Sequence, residues 1–314
     1  MKRFIGVDVG GTRIKAGLVN EQHEVESEEI IWLEAKDKTA DGLLTRLVEV
    51  IPRVLGSVRP VAIGLGVPGV VETRSIGMLC RSPNFPQIRD FRIKSALEER
   101  LGYPVMLDND ANCVIAGEYL QGAVAGVKDF IGLTLGTGVG GGIVLRGALW
   151  RGSNGMAGEL GHLVIDPAGP ECPATGVRGP LEMYPSVVGL RHMCESQPVD
   201  NVDSASPKLP ELLAQAAEDG DATARKHFAT AGDALGRGLG NLLNIFAVKT
   251  VLLAGGVSRA YPWMKEATET GIRSIAFPEI ADDVSIRCAI LGEKAGVLGA
   301  AMQWMMQPHD EDSA

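Results

Sequence analysis

Two stretches of this chain run in the same pattern. Phe4-Ile5-Gly6-Val7-Asp8-Val9-Gly10-Gly11-Thr12 and Phe130-Ile131-Gly132-Leu133-Thr134-Leu135-Gly136-Thr137-Gly138 align without a gap. Each reads as an apolar strand that ends in a Gly/Thr turn and returns as a second strand, Ile14 to Val19 in one case and Gly142 to Leu145 in the other. Glycines at a hairpin tip let backbone N–H groups approach a ligand closely, because no side chain stands in the way. A single tip of this kind does no more than close a hairpin. Two in matched phase predict a pair of related domains facing each other across a phosphate, the arrangement of a two-domain phosphotransferase.

Two other phosphate-binding designs are excluded. Gly136, Gly138 and Gly141 satisfy G-x-G-x-x-G, but the dinucleotide fingerprint needs a helix directly after the turn. Here the turn runs into Gly140-Gly141-Gly142-Ile143-Val144-Leu145, poor helix and good strand material. No G-x-x-x-x-G-K-[ST] string occurs, so the chain is not a P-loop protein.

At 314 residues the chain is long enough for two domains of ordinary size. Its net charge of −9 and lack of any basic cluster argue against nucleic acid as a partner. A strand entered by Phe4 leaves no room for a signal peptide, and no apolar run approaches the ~18 residues of a membrane span. Five scattered cysteines suit reduced thiols better than a disulfide framework, which points to the cytoplasm.

Beyond the first hairpin, strands and helices alternate, which predicts a mixed or parallel sheet with helices on both faces. A strand is expected over Val25 to Leu33, a helix over Thr39 to Leu55, a strand at Val61 to Gly66 and a proline-bracketed loop at Ser82-Pro83-Asn84-Phe85-Pro86. A helix over Ile93 to Leu101 and a strand at Pro104 to Leu107 lead to Asp108-Asn109-Asp110-Ala111-Asn112 and a helix ending near Gly122. The expected division is an N-terminal α/β domain over 1–118 and a larger α/β domain over 119–292. A helix over 293–307 packs back on the first domain, and 308–314 is a disordered tail. The second domain carries a Gly/Pro-rich insertion, Ala168 to Pro180, and a strand, Val251 to Ala254, that ends at Gly255-Gly256.

Three places carry polar groups that the fold alone does not call for. Asp8 ends a buried strand, where carboxylates are uncommon. It reads as a ligand for a Mg²⁺-nucleotide through water, with Thr12 and the tip amides on phosphate and Lys15 on the same side. Asp108-Asn109-Asp110 stands at a strand-to-helix junction, the edge of an α/β sheet at which ligands bind. One residue suffices for an N-cap, and an ionised Asp110 can take the proton of an attacking hydroxyl. Glu159 and His162, with Glu182 further on, lie in glycine-rich segments and could together hold the hydroxyls of a polyol.

In combination these strings resemble the ROK family of sugar kinases, glucokinase-like, and sugar-responsive repressors, within the actin-like ATPase superfamily. Asp8-Val9-Gly10-Gly11-Thr12 resembles its phosphate motif, Ser82-Pro83-Asn84 its sugar loop and Asn109-Asp110-Ala111-Asn112 its catalytic-base motif. Gly136 to Gly142, Gly158-Glu159-Leu160-Gly161-His162 and Leu253 to Ser258 follow in the family's order. The resemblance implies two ribonuclease-H-like α/β domains with an interdomain active-site cleft. It implies Asp110 as general base for a sugar hydroxyl, most often the 6-hydroxyl. Asn84, Asn109, Glu159, His162 and Glu182 would hold the sugar. Asp8, Gly10, Gly11, Thr12, Gly136, Thr137, Gly138, Gly255 and Gly256 would surround Mg–ATP. Glucose is the first choice of acceptor, with N-acetylmannosamine, N-acetylglucosamine, fructose and allose open, and a homodimer is expected. A sugar sensor without turnover is the rival from another class; polyphosphate as donor is disfavoured by the lack of a basic stripe.

One departure from the family stands out. Its zinc site uses the His of the Gly-His pair and the three cysteines of a C-x-C-G-x-x-G-C-x-E string. Here the segment is Cys172-Pro173-Ala174-Thr175-Gly176-Val177-Arg178-Gly179-Pro180-Leu181-Glu182, one residue longer and with a single cysteine. A structural Zn²⁺ wants four ligands, so no zinc is expected, and the loop must be held by its prolines and packing.

Overall fold

The computed structural model describes residues 1–72, 77–82 and 84–303. Pro83 of the expected sugar loop, the last residues of the expected helix over 293–307 and the tail over 308–314 lie outside the described residues. The chain forms two compact units, one of Met1–Lys128, Gly142–Gly158 and Ile290–Ala314, the other of Asp129–Gly141 and Glu159–Ala289.

In the first unit β1 (Arg3–Val9), β2 (Arg13–Asn20) and β3 (Val25–Trp32) form a meander, followed by α1 (Ala40–Leu55) and β4 (Ile63–Val67). Next come β5 (Val70–Glu72), β6 (Met78–Ser82), β7 (Phe85–Phe91), α2 (Ile93–Leu101), β8 (Val105–Asn109) and α3 (Asp110–Gln121). The main sheet has the order β3-β2-β1-β4-β8, with β1 antiparallel to β2 and parallel to β4, and β4 parallel to β8. The alternation of β1 explains its layers. Ile5, Val7 and Val9 join the core that α1 closes with Leu43, Leu47, Val50 and Ile51. Phe4 and Gly6 point to the opposite face. The edge strand β3 exposes Glu26, Glu28 and Glu29, which discourages pairing with another chain.

The second unit contains β9 (Phe130–Leu135) and the first residues of β10 (Val139–Leu145), which carries the chain across the boundary to β11 (Ala148–Leu149). It continues through α4 (Val187–Ser196), α5 (Leu209–Glu218), α6 (Ala222–Phe246), β12 (Thr250–Ala254), α7 (Tyr261–Ile275), α8 (Pro278–Ala281) and β13 (Ser285–Cys288). The sheet built on β9 has the order β11-β10-β9-β12-β13, the same pattern as the sheet built on β1, and β12 is parallel to both β9 and β13. Two copies of one mixed α/β sheet are the ribonuclease-H-like, actin-like ATPase fold.

The helix α9 (Lys294–Ala301) belongs to the first unit and lies on the face of β1 opposite α1. Val297, Leu298, Ala301 and Met302 bury themselves there with Phe4 and Val19. The helix comes this close because Gly6 and Gly64 have no side chains. A Cβ at Gly6 would run into the carbonyl of Val297, and one at Gly64 into that of Ala300.

Two elements differ from the expectation. The segment around Ser82 to Pro86 is no plain loop: β5, β6 and β7 make a separate three-stranded sheet, with Ser82 opposite Phe85. The prolines signalled a break, but Pro86 falls on the edge strand β7, where a missing N–H costs nothing. The strand β13 is short and mostly exposed, so it carries no apolar alternation to betray it.

Candidate active site

The first glycine tip is closed by the Gly10 N–H, which donates to the Arg13 carbonyl at 2.9 Å. Thr12 is exposed at its apex. Asn84 lies against the tip, since a Cβ at Gly11 would stand 3.1 Å from its side-chain oxygen. Lys38 donates from Nζ to the Gly11 carbonyl and passes over the Phe85 ring at 5.8 Å. Asp8 and Lys15 are opposite each other in the β1–β2 register. Burial pushes the Asp8 carboxyl up to about 6, although Arg13 and Lys15 pull it down. Lys15 is itself buried and held by Glu28 at 3.1 Å and by the Glu293 carbonyl at 3.4 Å.

At the β8–α3 junction three polar side chains have three separate duties. Asn109 is the N-cap: its Oδ1 accepts from the Ala111 and Asn112 N–H groups at 2.8 and 3.3 Å, and its Nδ2 donates to the Gly69 carbonyl at 3.1 Å. Asp108 is buried and fully committed. Its Oδ1 accepts from the Asn109 N–H at 2.8 Å and the Asn112 Nδ2 at 2.7 Å. Its Oδ2 accepts from Arg151 Nε at 2.8 Å and Nη2 at 2.7 Å. Asp110 is half-exposed in the first turn of α3, with one oxygen accepting from the Ala111 N–H at 2.9 Å. Arg151 was missed in the sequence because an arginine just past Leu149-Trp150 reads as a solvated residue. Asn112 was visible only as part of the motif.

In the second unit the tip at Gly136-Thr137-Gly138 is closed by the Gly136 N–H on the Gly138 carbonyl at 2.9 Å, with Thr137 exposed like Thr12. The Glu182 carboxylate sits on this tip. It accepts from the Val139 N–H at 3.0 Å, and any Cβ at Gly138 would collide with it. Glu159 caps and His162 ends a short 3₁₀ turn, both side chains partly exposed and 3.9 Å apart. The Leu181 N–H donates to the Leu163 carbonyl at 2.8 Å, which joins the His162 turn to the one that carries Glu182. Gly255 takes a φ of 86°, a left-handed conformation where a Cβ would strike the Leu135 carbonyl. A Cβ at Gly136 or Gly256 would meet nothing within 4 Å. The backbone at both positions therefore borders open space.

The string from Cys172 to Glu182 does not fit zinc. Cys172 directs its thiol to Glu182 Oε1 at 3.6 Å, His162 is turned to Glu159, and no group of three or more His, Cys, Asp or Glu able to hold a metal occurs among the described residues. Backbone bonds hold the loop instead. The Cys172 N–H donates to the Val177 carbonyl at 2.8 Å, Gly179 N–H to Pro170 at 2.8 Å and Ile165 N–H to Gly179 at 2.9 Å. The Tyr184 hydroxyl adds a contact with Asp166 Oδ2 at 3.4 Å.

Comparison with known proteins agrees with this geometry. Residues 4–307 match the ROK family model. A glucokinase of Halalkalibacterium halodurans is 33% identical over 322 residues, covering 98% of this chain and 96% of that protein. The ROK hexokinase of Thermus thermophilus superposes with a TM-score of 0.80 at 33% identity, over 96% of this chain and 97% of its own. A ROK family glucokinase of Streptomyces griseus, solved in complex with glucose and AMPPNP, gives 0.80 at 31% identity over 95% and 98%. The chain belongs to the ROK family.

Proposed function

We propose that this chain transfers the γ-phosphoryl group of ATP to a hexose hydroxyl, with glucose as acceptor at its 6-hydroxyl. The observation that carries this reading is the division of labour at the start of α3. Asn109 caps the helix and Asp108 is buried and paired with Arg151 and Asn112, whereas Asp110 stands half-exposed in the first turn of α3. Asp110 acts as the general base that takes the hydroxyl proton as the oxygen attacks phosphorus. Asn84, Asn109, Glu159, His162 and Glu182 bind the sugar hydroxyls. The glycine tips at Gly10-Gly11-Thr12 and Gly136-Thr137-Gly138 and the turn at Gly255-Gly256 bind the nucleotide phosphates and adenosine. A glucokinase relative that holds glucose and a non-hydrolysable ATP analogue supports this assignment of ligands.

Mg²⁺ fits Asp8, an oxygen donor that keeps part of its surface exposed and has no ion-pair partner at contact distance among the described residues. When bound, the ion offsets charge on the phosphates. Lys15 supports the same end of the site by keeping positive charge beside Asp8. The reading carries a cytoplasmic homodimer, as the family resemblance suggests. A survey of hexoses and N-acetylhexosamines by ADP release tests the substrate: kcat/KM is expected to be highest for glucose. A preference for N-acetylmannosamine, N-acetylglucosamine or fructose would reassign the acceptor. Sugar binding without turnover on any of them would make the chain a sensor.

The Asp8 carboxyl supplies a pH test. Its protonated form persists to about pH 6, above the ordinary aspartate range, because burial disfavours the anion. A cation site needs the anion, so binding of a non-hydrolysable ATP analogue with Mg²⁺ should hold above about pH 7 and weaken as the pH falls through 6. At pH 5 the loss should be roughly tenfold. Asp8→Asn should bind weakly at every pH and show no such slope.

A further inference from the structure

The ion pair between Asp108 and Arg151 is unneeded by the reaction as described, and stability does not account for it. Buried pairs of this kind can often be replaced by apolar groups at no cost, because the charges lose their hydration on burial. What the pair does have is position. Asp108 is 1% exposed and Arg151 9% exposed. Arg151 grips one oxygen of Asp108 with two nitrogens, at 2.8 and 2.7 Å. The other oxygen holds the Asn109 N–H and the Asn112 amide, which lie on either side of Asp110 in the chain. Arg151 is anchored in turn. It follows β11, the preceding Trp150 N–H donates to the Ile143 carbonyl at 2.7 Å, and its own carbonyl accepts from the Ala157 N–H at 3.2 Å. A hydrogen-bonded strand end thus reaches, through one guanidinium and one carboxylate, the backbone that carries Asp110.

We infer that Arg151 is a positioning residue of the transfer reaction, acting through Asp108 to fix where Asp110 stands at the head of α3. The inference rests on the kinase reading above. A two-point guanidinium grip sets direction as well as charge, which lysine cannot copy. A base misplaced by about an ångström costs on the order of a hundredfold in rate. Loss of the grip should therefore appear in kcat and leave KM for sugar and ATP nearly unchanged.

The experiment compares the parent chain with Arg151→Met, Asp108→Asn/Arg151→Met and Arg151→Lys, each measured for kcat, both KM values and melting temperature. Arg151→Met strands a buried carboxylate and should lose both stability and kcat. The double variant removes the stranded charge and keeps an acceptor for the Asn109 N–H. Its melting temperature should return to near the parent's while kcat stays lower by roughly 10- to 100-fold. Arg151→Lys keeps the charge and the fold and should show the same split, with a smaller loss of kcat. If kcat recovers along with melting temperature in the double variant, or if KM moves and kcat does not, the positioning role is wrong. An inactive parent chain would overturn the kinase reading and this inference together. An active parent with an unimpaired double variant would remove this inference alone.

Discussion

Asparagine in place of Asp110 should leave a folded chain that binds glucose normally and turns it over about a thousandfold or more slowly, near the upper end of what a general base contributes. The structure explains why binding and turnover separate here. The helix is capped by Asn109, so its start does not depend on the acid. An asparagine at 110 still offers Oδ1 to the Ala111 N–H, as the aspartate does at 2.9 Å. What it cannot do is accept a proton. Calorimetric titration with glucose and steady-state kinetics on the same preparation read the two effects apart. A variant that kept a tenth of the parent kcat would relieve Asp110 of the role.

The second large effect is on stability. Glu118 in α3 is completely buried, and its carboxylate gathers three backbone N–H groups: Ala123 at 2.8 Å, Ile290 at 3.0 Å and Leu291 at 2.8 Å. Ile290 is where the chain re-enters the first unit, and Leu291 leads into α9. One side chain therefore supplies the acceptors for a loop after α3 and for the return of the C-terminal segment. Glu118→Ala removes all of them at once. Each orphaned group costs about 1–3 kcal/mol where water is excluded, less where it can enter. Ile290 is well exposed, so the total should be about 3 kcal/mol rather than the full sum. That corresponds to a fall of roughly 6–12 °C in melting temperature. Glu118→Gln keeps one acceptor oxygen and should lie between. A thermal melt unchanged by Glu118→Ala would mean that solvent replaces all three bonds.

Much of this architecture was legible in the sequence, because the strongest signals are local. The paired tips at Gly10-Gly11 and Gly136-Thr137-Gly138 announced a duplicated hairpin, and the two sheets do share one strand order. The helix from Ala40 to Leu55 showed in the spacing of Leu43, Leu47 and Ile51. Long-range contacts were not legible. Nothing near Arg151 in the chain says that it reaches Asp108, and nothing near Glu118 says that it meets Ile290. Such pairs are set by tertiary packing and leave no periodic mark. The small sheet β5-β6-β7 was hidden for the opposite reason, since proline is a strong local signal that an edge strand can tolerate. In the site itself, residue types identified the candidates, but the structure divided their duties: Asn109 to the cap, Asp108 to Arg151, Glu182 to the second tip.

The most direct measurement is to incubate the chain with glucose, ATP and Mg²⁺ and follow the product by phosphorus NMR, beside the Asp110→Asn variant. The expected result is ADP and a phosphate ester on the 6-oxygen of glucose with the parent, and no ester on the same timescale with the variant. An ester formed equally well by the variant, or glucose bound by the parent and left unphosphorylated, would contradict the account.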